Sequence, residues 1–115
     1  ELLTEKGVLI VAVPNCSSYD AMKYGKYWAA YDVPRHLWHF TPATIQQFGS
    51  KHGFILAARH PMPFDAFYVS MLTEKHKGSA YSFVKGMWTG TVAWLSAQAK
   101  KERSSSMIYV FRKKR

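Results

Sequence analysis

The sequence predicts an α/β fold, and three observations support this class. Three apolar runs, residues 7–13, 54–60 and 106–114, have the length and the β-branched or aromatic composition of strands. Segments with helical spacing or helix-capping residues separate these runs, and such alternation is typical of α/β proteins. With 115 residues, of which 48% are apolar, the chain can form one domain with a substantial core.

The first strand, "GVLIVAV" at residues 7–13, shows no alternation of polar and apolar residues. This pattern predicts a strand that is covered on both faces, as in the interior of a parallel sheet. The preceding "ELLTEK" has the composition of a last helical turn that ends at Gly7. The chain is therefore predicted to begin within an element and to be part of a larger domain.

Residues 15–40 show no clean period, and only a short helix is expected within "SYDAMKYGKYW". The next segment has clear helix signals, because Thr41 can cap, Pro42 suits the first position and Gly53 can end the helix. Ile45 and Phe48 would share one face of this helix. "FILAARH" then reads as a second strand that ends at "PMP".

Two further helices are predicted over residues 64–77 and 80–101, each with a stripe of large apolar side chains. The stripes are Phe64, Phe67, Tyr68, Met71 and Leu72 in the first, and Val84, Met87, Trp88, Thr91, Trp94 and Leu95 in the second. We interpret them as core; the alternative is an apolar pocket or lid that contacts a lipid at a membrane surface. Lys85, Gln98 and several Ser, Thr and Gly residues exclude a transmembrane helix over residues 78–99.

The net charge is +9, and part of it lies in "KKER" and in the terminal "RKKR". A solvated surface with a basic tail is favoured over nucleic-acid binding, because aromatic residues are not interleaved with the basic ones. A non-catalytic basic module that binds nucleic acid or an acidic partner is the alternative function. The single cysteine, Cys16, and the absence of a leader-like segment predict a cytoplasmic protein without internal disulfides.

Several short motifs follow one another in a family-like order: "GVLIVAVPN", "YDVPRHLWHFTPATI" and "KHGF". With them the chain resembles the C-terminal half of class I S-adenosylmethionine-dependent methyltransferases, in particular the broad bacterial group that is similar to ubiquinone-pathway O-methyltransferases. The resemblance covers residues 1–60 well and the last strand more weakly. It implies the C-terminal part of a Rossmann-like sheet, whose last strand lies antiparallel between the other two. Residues 61–102 would form a helical insertion or lid over the active site.

The resemblance also implies S-adenosylmethionine as the cofactor and a small molecule as the methyl acceptor. The family's Gly-rich turn and the acidic residue that holds the ribose have no counterpart here, since no Gly-x-Gly occurs in the chain. We therefore expect a single partial domain, residues 1–115, that contributes the methyl-acceptor side and is inactive alone. A first strand without its neighbour also predicts self-association through its exposed edge.

The stretch "YDVPRHLWHF" holds the candidate site residues. His36 and His39 are candidate general bases, because imidazoles titrate near neutral pH; a structural role for each is equally open. Arg35 is a candidate ligand for an anionic substrate group, although pairing with Asp32 to brace the loop is the favoured interpretation. Trp38 is a candidate substrate contact or loop anchor. Asn15 is a weak candidate for cofactor binding, with a turn-capping role favoured.

A metal site is not expected in this stretch. His36 and His39 are three residues apart, and Cys16, His52 and His60 could in principle join them. Zinc sites need about four ligands in tetrahedral arrangement, commonly with paired Cys or His spacings, which one His-x-x-His and a lone cysteine do not provide. Cys16 has no base assigned to it by spacing, so a nucleophilic role is not predicted either.

Overall fold

The structure, a computed structural model, describes residues 3–115 and has three strands and four α-helices in that range. In chain order they are β1 (Val8–Pro14), α1 (Tyr19–Tyr24), α2 (Pro42–Lys51), β2 (Phe54–Pro61), α3 (Asp65–His76), α4 (Ser82–Ala99) and β3 (Ser106–Lys113). The strands and the three longer helices lie within two residues of their predicted bounds. The predicted helix end over residues 1–6 lies partly outside the described residues; from Thr4 to Gly7 the chain forms a turn, closed by a hydrogen bond of 3.0 Å.

The sheet has the order β1-β3-β2, and β3 is antiparallel to both of its neighbours. The predicted position of the last strand, between the other two and antiparallel to them, is confirmed. Tyr109 shows the register, since it lies opposite Val11 of β1 and Arg59 of β2. Because both outer strands oppose β3, they run in the same direction, and their carboxyl ends lie at the same end of the sheet.

Within the described part of the chain, β1 is an edge strand whose one partner is β3. Val8 and Leu9 are exposed, and 63% of Ile10 is accessible to solvent. The prediction that this strand is covered on both faces is therefore not met among residues 3–115. Its apolar composition is that of an interior strand, but none of the elements described here lies beyond its outer edge.

Helix α2 begins as its sequence predicts. Thr41 and Thr44 form a reciprocal cap, in which the Thr41 hydroxyl accepts from the Thr44 amide at 3.2 Å. Ile45 is buried beneath the sheet against Met107 and Phe111. Phe48, expected on the same face, is largely exposed and packs beside Phe40 and His52 at the margin of this core.

Helices α3 and α4 form an antiparallel hairpin that packs through small side chains. The buried inner face of α4 consists of Gly86, Thr89, Gly90, Ala93 and Ala97. Gly86 lies against the backbone of Met71, and Gly90 lies against the backbone of Phe67. Because glycine has no Cβ, these two positions allow the helix axes to approach closely.

The large apolar stripes of α3 and α4 were interpreted from the sequence as core. In α4 this interpretation is wrong, because Val84 and Trp88 are exposed; helical spacing identifies which residues share a face, but not which face is inside. In α3 it holds in part, since Phe67 and Met71 are half-buried against α4, whereas Tyr68 is exposed. No helix among residues 3–115 combines the length and the apolar character needed to cross a bilayer.

A buried polar junction connects the helical layer to the sheet. The helical cluster contains Tyr24, Trp28 and Val69, whereas a separate cluster lies between α2 and the sheet. The buried carboxylate of Asp20 accepts hydrogen bonds from Trp28 Nε1 and from Ser105 Oγ, both at 2.8 Å. Since Ser105 immediately precedes β3, this carboxylate fixes the helical layer at the end of the sheet where β1 terminates.

A second buried contact inside the helical layer involves two ionisable side chains. Tyr24 Oη donates to Glu74 Oε1 at 3.0 Å. Burial raises the pKa of Tyr24 to about 12, which moves it further from neutral pH than that of a free tyrosine, and the phenol is a donor in this contact. The hydrogen bond between Tyr24 and Glu74 holds α1 against α3.

Candidate functional site

A crevice opens at the carboxyl end of β1, where residues 31–40 fold back over the strand. One cavity, of about 260 Å³, has a wall and floor formed by Ala12, Val13, Pro14, Cys16, Trp28 and residues 35–40. A second, of about 500 Å³, lies between the loop and α3, where Asp65, Tyr68 and Leu72 line it. Arg35 and His36 border both cavities. Ligands of open α/β sheets bind outside the carboxyl ends of the strands, which is where this crevice lies.

Backbone contacts fix the end of the loop that forms the crevice and the turn with which the loop begins. Phe40 O accepts from Cys16 N at 3.0 Å, so the end of the loop is tied to the residue two positions after β1. Asp32 has a left-handed backbone conformation, with φ of 44°, and its carbonyl accepts from His36 N at 3.0 Å. Aspartate tolerates this conformation better than most residues, which helps explain the sharp turn there.

Arg35 pairs with Asp32, as the favoured interpretation of the sequence expects. Its Nε and a terminal nitrogen both donate to Asp32 Oδ1, at 3.0 and 2.6 Å. The pair is exposed, and exposed ion pairs contribute only about 0–1 kcal/mol to stability. An anionic ligand could therefore compete with Asp32 for the guanidinium at small cost to the fold.

The two histidines differ in their surroundings, although both line the 260 Å³ cavity. His36 Nδ1 lies 3.4 Å from Ala30 O, a long hydrogen bond. A proton on Nδ1 completes that bond and leaves Nε2 as the acceptor. The His39 ring lies edge-on to Tyr31, with 4.8 Å between the ring centroids. His36 is thus oriented through a hydrogen bond, whereas His39 is positioned by an aromatic contact.

Trp38 and Phe40 are two large apolar residues of the loop that differ in burial. Trp38 is 80% exposed and lines the smaller cavity, so it does not anchor the loop in a core. Phe40 is half-buried and packs against the cluster between α2 and the sheet. The anchoring role considered for Trp38 thus falls to Phe40, and Trp38 is accessible to a ligand.

Asn15 is a buried structural residue whose amide is fully engaged. Its Nδ2 donates to the carbonyls of Glu102 and Ser104, at 2.6 and 2.9 Å. Its Oδ1 accepts from the amide and the hydroxyl of Ser17, at 3.0 and 2.6 Å. With both amide hydrogens and both acceptor positions used, Asn15 has no free group for a cofactor and instead ties the end of β1 to the segment before β3.

Residues outside the candidate stretch also line the crevice. Cys16 forms part of the smaller cavity, and burial raises the pKa of its thiol, which disfavours a nucleophilic thiolate. Tyr68 and Leu72 of α3 line the larger cavity. Their i and i+4 spacing marks a shared helix face, but its position over the loop depends on tertiary packing.

The crevice combines an imidazole, a guanidinium and aromatic walls. Such a set can bind a small molecule with an anionic group and accept a proton from it. Among residues 3–115, no three or more His, Cys, Asp or Glu side chains are grouped so that they could hold a metal ion. Comparisons with protein-family models, with curated proteins and with solved structures find no match, so the geometry of the crevice carries the functional proposal.

Proposed function

We propose that this chain forms the methyl-acceptor side of an S-adenosylmethionine-dependent methyltransferase with a Rossmann-like sheet. The supporting observation is the pairing of β3, antiparallel, between β1 and β2, together with a cavity at the carboxyl end of β1. The resemblance carried by the sequence motifs implies the same strand order. It also implies a substrate loop after β1, and residues 31–40 lie over the carboxyl end of that strand.

The chain by itself does not fit the cofactor. Asn15, the one candidate for cofactor contact, uses all of its amide hydrogen bonds within the protein. The chain also has no Gly-x-Gly turn at which a backbone could approach the cofactor closely. In this proposal the cofactor half is supplied from outside residues 1–115, and no step is assigned to it.

The acceptor is proposed to occupy the crevice beside His36. The larger cavity, of about 500 Å³, lies within the range of ligand pockets, roughly 300 to 1,000 Å³, and the smaller cavity, of about 260 Å³, adjoins it at Arg35 and His36. Arg35 would hold an anionic group of the acceptor, Trp38 would cover its apolar part, and His36 Nε2 would remove the proton of the group that is methylated. Tyr68 and Leu72 would close the crevice from the insertion.

The 115-residue chain is expected to show no measurable binding of S-adenosylmethionine, because in this proposal the segments that enclose the cofactor lie outside residues 1–115. Isothermal titration calorimetry on the chain measures this directly. The matched measurement uses the chain joined to a cofactor-binding half, which should bind S-adenosylmethionine and transfer its methyl group to a small hydroxylated acceptor. Tight cofactor binding by the 115-residue chain, or failure of transfer by the joined protein across an acceptor panel, would contradict the proposal.

The exposed edge of β1 is expected to support self-association of the chain. Three consecutive apolar residues, Val8, Leu9 and Ile10, are exposed on a strand with one free edge. Such edges pair with other strands. Sedimentation equilibrium should detect dimers or larger species that Ile10→Lys weakens, because a charge on an edge strand opposes pairing. A strict monomer at high concentration would count against it.

A basic cleft at the opposite end of the sheet favours the alternative function, a module that binds nucleic acid or an acidic partner. The cleft, of about 580 Å³, is lined by Lys6, Arg112, Lys113, Lys114 and Arg115, with Glu5 as its one acid. Binding of a generic oligonucleotide that falls steeply with added salt, and that Arg112→Gln weakens, would favour this function. The cleft has no aromatic platform for base stacking, so methyl-acceptor binding stays our first proposal.

A further inference from the structure

Helix α4 carries an outward apolar surface, which we call the outer face. Its members are Phe83, Val84, Met87, Trp88 and Leu95, all of them exposed. At about 100° per residue, Val84, Trp88 and Leu95 lie on one line along the helix, with Phe83 and Met87 to one side. The buried inner face of glycine and alanine lies opposite. The helix thus keeps its small residues inside and presents its large ones to solvent.

A row of large apolar side chains exposed to water is unusual on the surface of a helix. Phe83 and Trp88 are each 67% exposed, and Tyr81, at the N-terminal end of the helix, is 80% exposed. Contiguous apolar patches built of several large exposed side chains commonly mark an interaction site. The close packing of Gly86 and Gly90 against α3 prevents the helix from rotating to bury these side chains.

The charges around the outer face are all of one sign. Residues 75–101 contain five lysines (Lys75, Lys77, Lys85, Lys100 and Lys101) and no aspartate or glutamate. The flanking acids are already engaged, since Glu74 is buried against Tyr24 and Glu102 pairs with Arg59. Lysines therefore lie at both ends of α4, with an aromatic and aliphatic surface between them.

This distribution of charge selects among the possible occupants. A second copy packed on the outer face, in either helix direction, would bring lysine-bearing ends of the two helices together, and like charges oppose that contact. An occupant of the outer face must both carry negative charge for the lysines and bury the apolar side chains. An anionic lipid surface does both, because its headgroups pair with the lysines while its acyl region takes up the apolar side chains. Tryptophan and tyrosine are also the side chains preferred at the boundary between headgroups and acyl chains.

We propose that the outer face of α4 docks on the surface of an anionic lipid bilayer, with the helix lying in the plane of the membrane. The helix has 18 residues and is roughly 27 Å long, and it is not apolar enough to cross the bilayer. Its outer side chains enter the boundary region, and Lys85, Lys100 and Lys101 remain among the headgroups. The docking is independent of methyl transfer and uses no residue of the crevice.

Flotation of the full chain with vesicles tests the proposal. Vesicles of phosphatidylcholine with added phosphatidylglycerol should carry the protein to the top of the gradient, and vesicles of phosphatidylcholine alone should carry much less. The double variant Phe83→Ser/Trp88→Ser should lower the partition coefficient on anionic vesicles by at least about tenfold. Met22→Ser, which removes an equally exposed apolar side chain on α1, should leave the partition unchanged.

Circular dichroism verifies that each variant is folded, which is expected because the substituted side chains are exposed. A second variant, Lys85→Gln/Lys100→Gln/Lys101→Gln, should weaken binding to anionic vesicles and remove most of the difference between the two vesicle types. Equal partition of the double variant and the wild type would overturn the proposal. A dimer in lipid-free solution that Phe83→Ser/Trp88→Ser dissociates would also overturn it, since a second copy would then cover the outer face.

Discussion

Replacing Gly86 is expected to destabilise the protein in proportion to the size of the new side chain, by about 1 kcal/mol for alanine and about 3 kcal/mol for valine. A Cβ atom at this position would lie 2.5 Å from Met71 Cα and 2.8 Å from Met71 N. Both are backbone atoms, so the contact cannot be relieved by a change of rotamer. The helices would have to separate, and the buried contacts along the hairpin would loosen.

Helix propensity would make replacement of Gly86 stabilising, whereas the steric contact makes it destabilising. The sign of the change in the free energy of unfolding therefore shows which of the two dominates. In a helix interior alanine is favoured over glycine by about 1 kcal/mol, and valine is also favoured over glycine. Propensity alone therefore ranks alanine as the most stable and glycine as the least stable. The steric contact with Met71 reverses this order, because overpacking of a tight core costs about 1–3 kcal/mol or more.

Urea unfolding followed by circular dichroism measures the free energy of unfolding of each variant. Gln98→Ala is the matched control, since Gln98 is exposed on the same helix, and its change is expected to stay within about 0.5 kcal/mol. A stability order of alanine above glycine at position 86 would show that α3 and α4 are not in close contact there.

Local signals in the sequence predicted the elements well. The strand at residues 7–13, the capping residue Thr41 and the first-position Pro42 each identify an element through its own residues, and the structure has those elements. The strand order came from the resemblance, because spacing along the chain does not determine which strands pair. The prediction that β1 is covered on both faces was not met. The apolar composition of a strand indicates that it is suited to burial, but it does not show which elements lie beside it.

The candidate site was predictable only in part, for the same physical reason. The pairing of Arg35 with Asp32 is local and was expected. The contact of Asn15 Oδ1 with Ser17 is local and agrees with the expected turn-capping role, whereas the partners of its Nδ2, Glu102 and Ser104, are 87 and 89 residues away in sequence and were not predictable. The inward face of α4 likewise depended on a contact with α3, so a stripe of large side chains was assigned to the wrong side. Where distant segments meet, single-sequence patterns carry little information.

In a methyltransferase completed by its cofactor-binding half, His36→Ala is expected to reduce kcat about a hundredfold. General-base catalysis by a positioned side chain contributes roughly 10²–10⁴-fold. His36 borders both cavities, and its Nδ1 contact with Ala30 O leaves Nε2 to accept the proton of the acceptor. His39→Ala is expected to have a smaller effect, since its ring is held by Tyr31 and lines only the smaller cavity.

Steady-state kinetics with a hydroxylated acceptor separates a catalytic role from a structural one. A lost base lowers kcat, removes the acid limb of the pH profile of kcat/KM and leaves the Kd of S-adenosylmethionine nearly unchanged, because the base acts on the acceptor. A loop that has merely lost a packing contact raises the KM of the acceptor and keeps the acid limb. His52→Ala is the matched control, since His52 lies at the end of α2 outside both cavities and its loss should leave kcat unchanged. If His36→Ala keeps full activity and the acid limb while His39→Ala loses both, the proton acceptor is His39, and the hydrogen bond to Ala30 only shapes the loop.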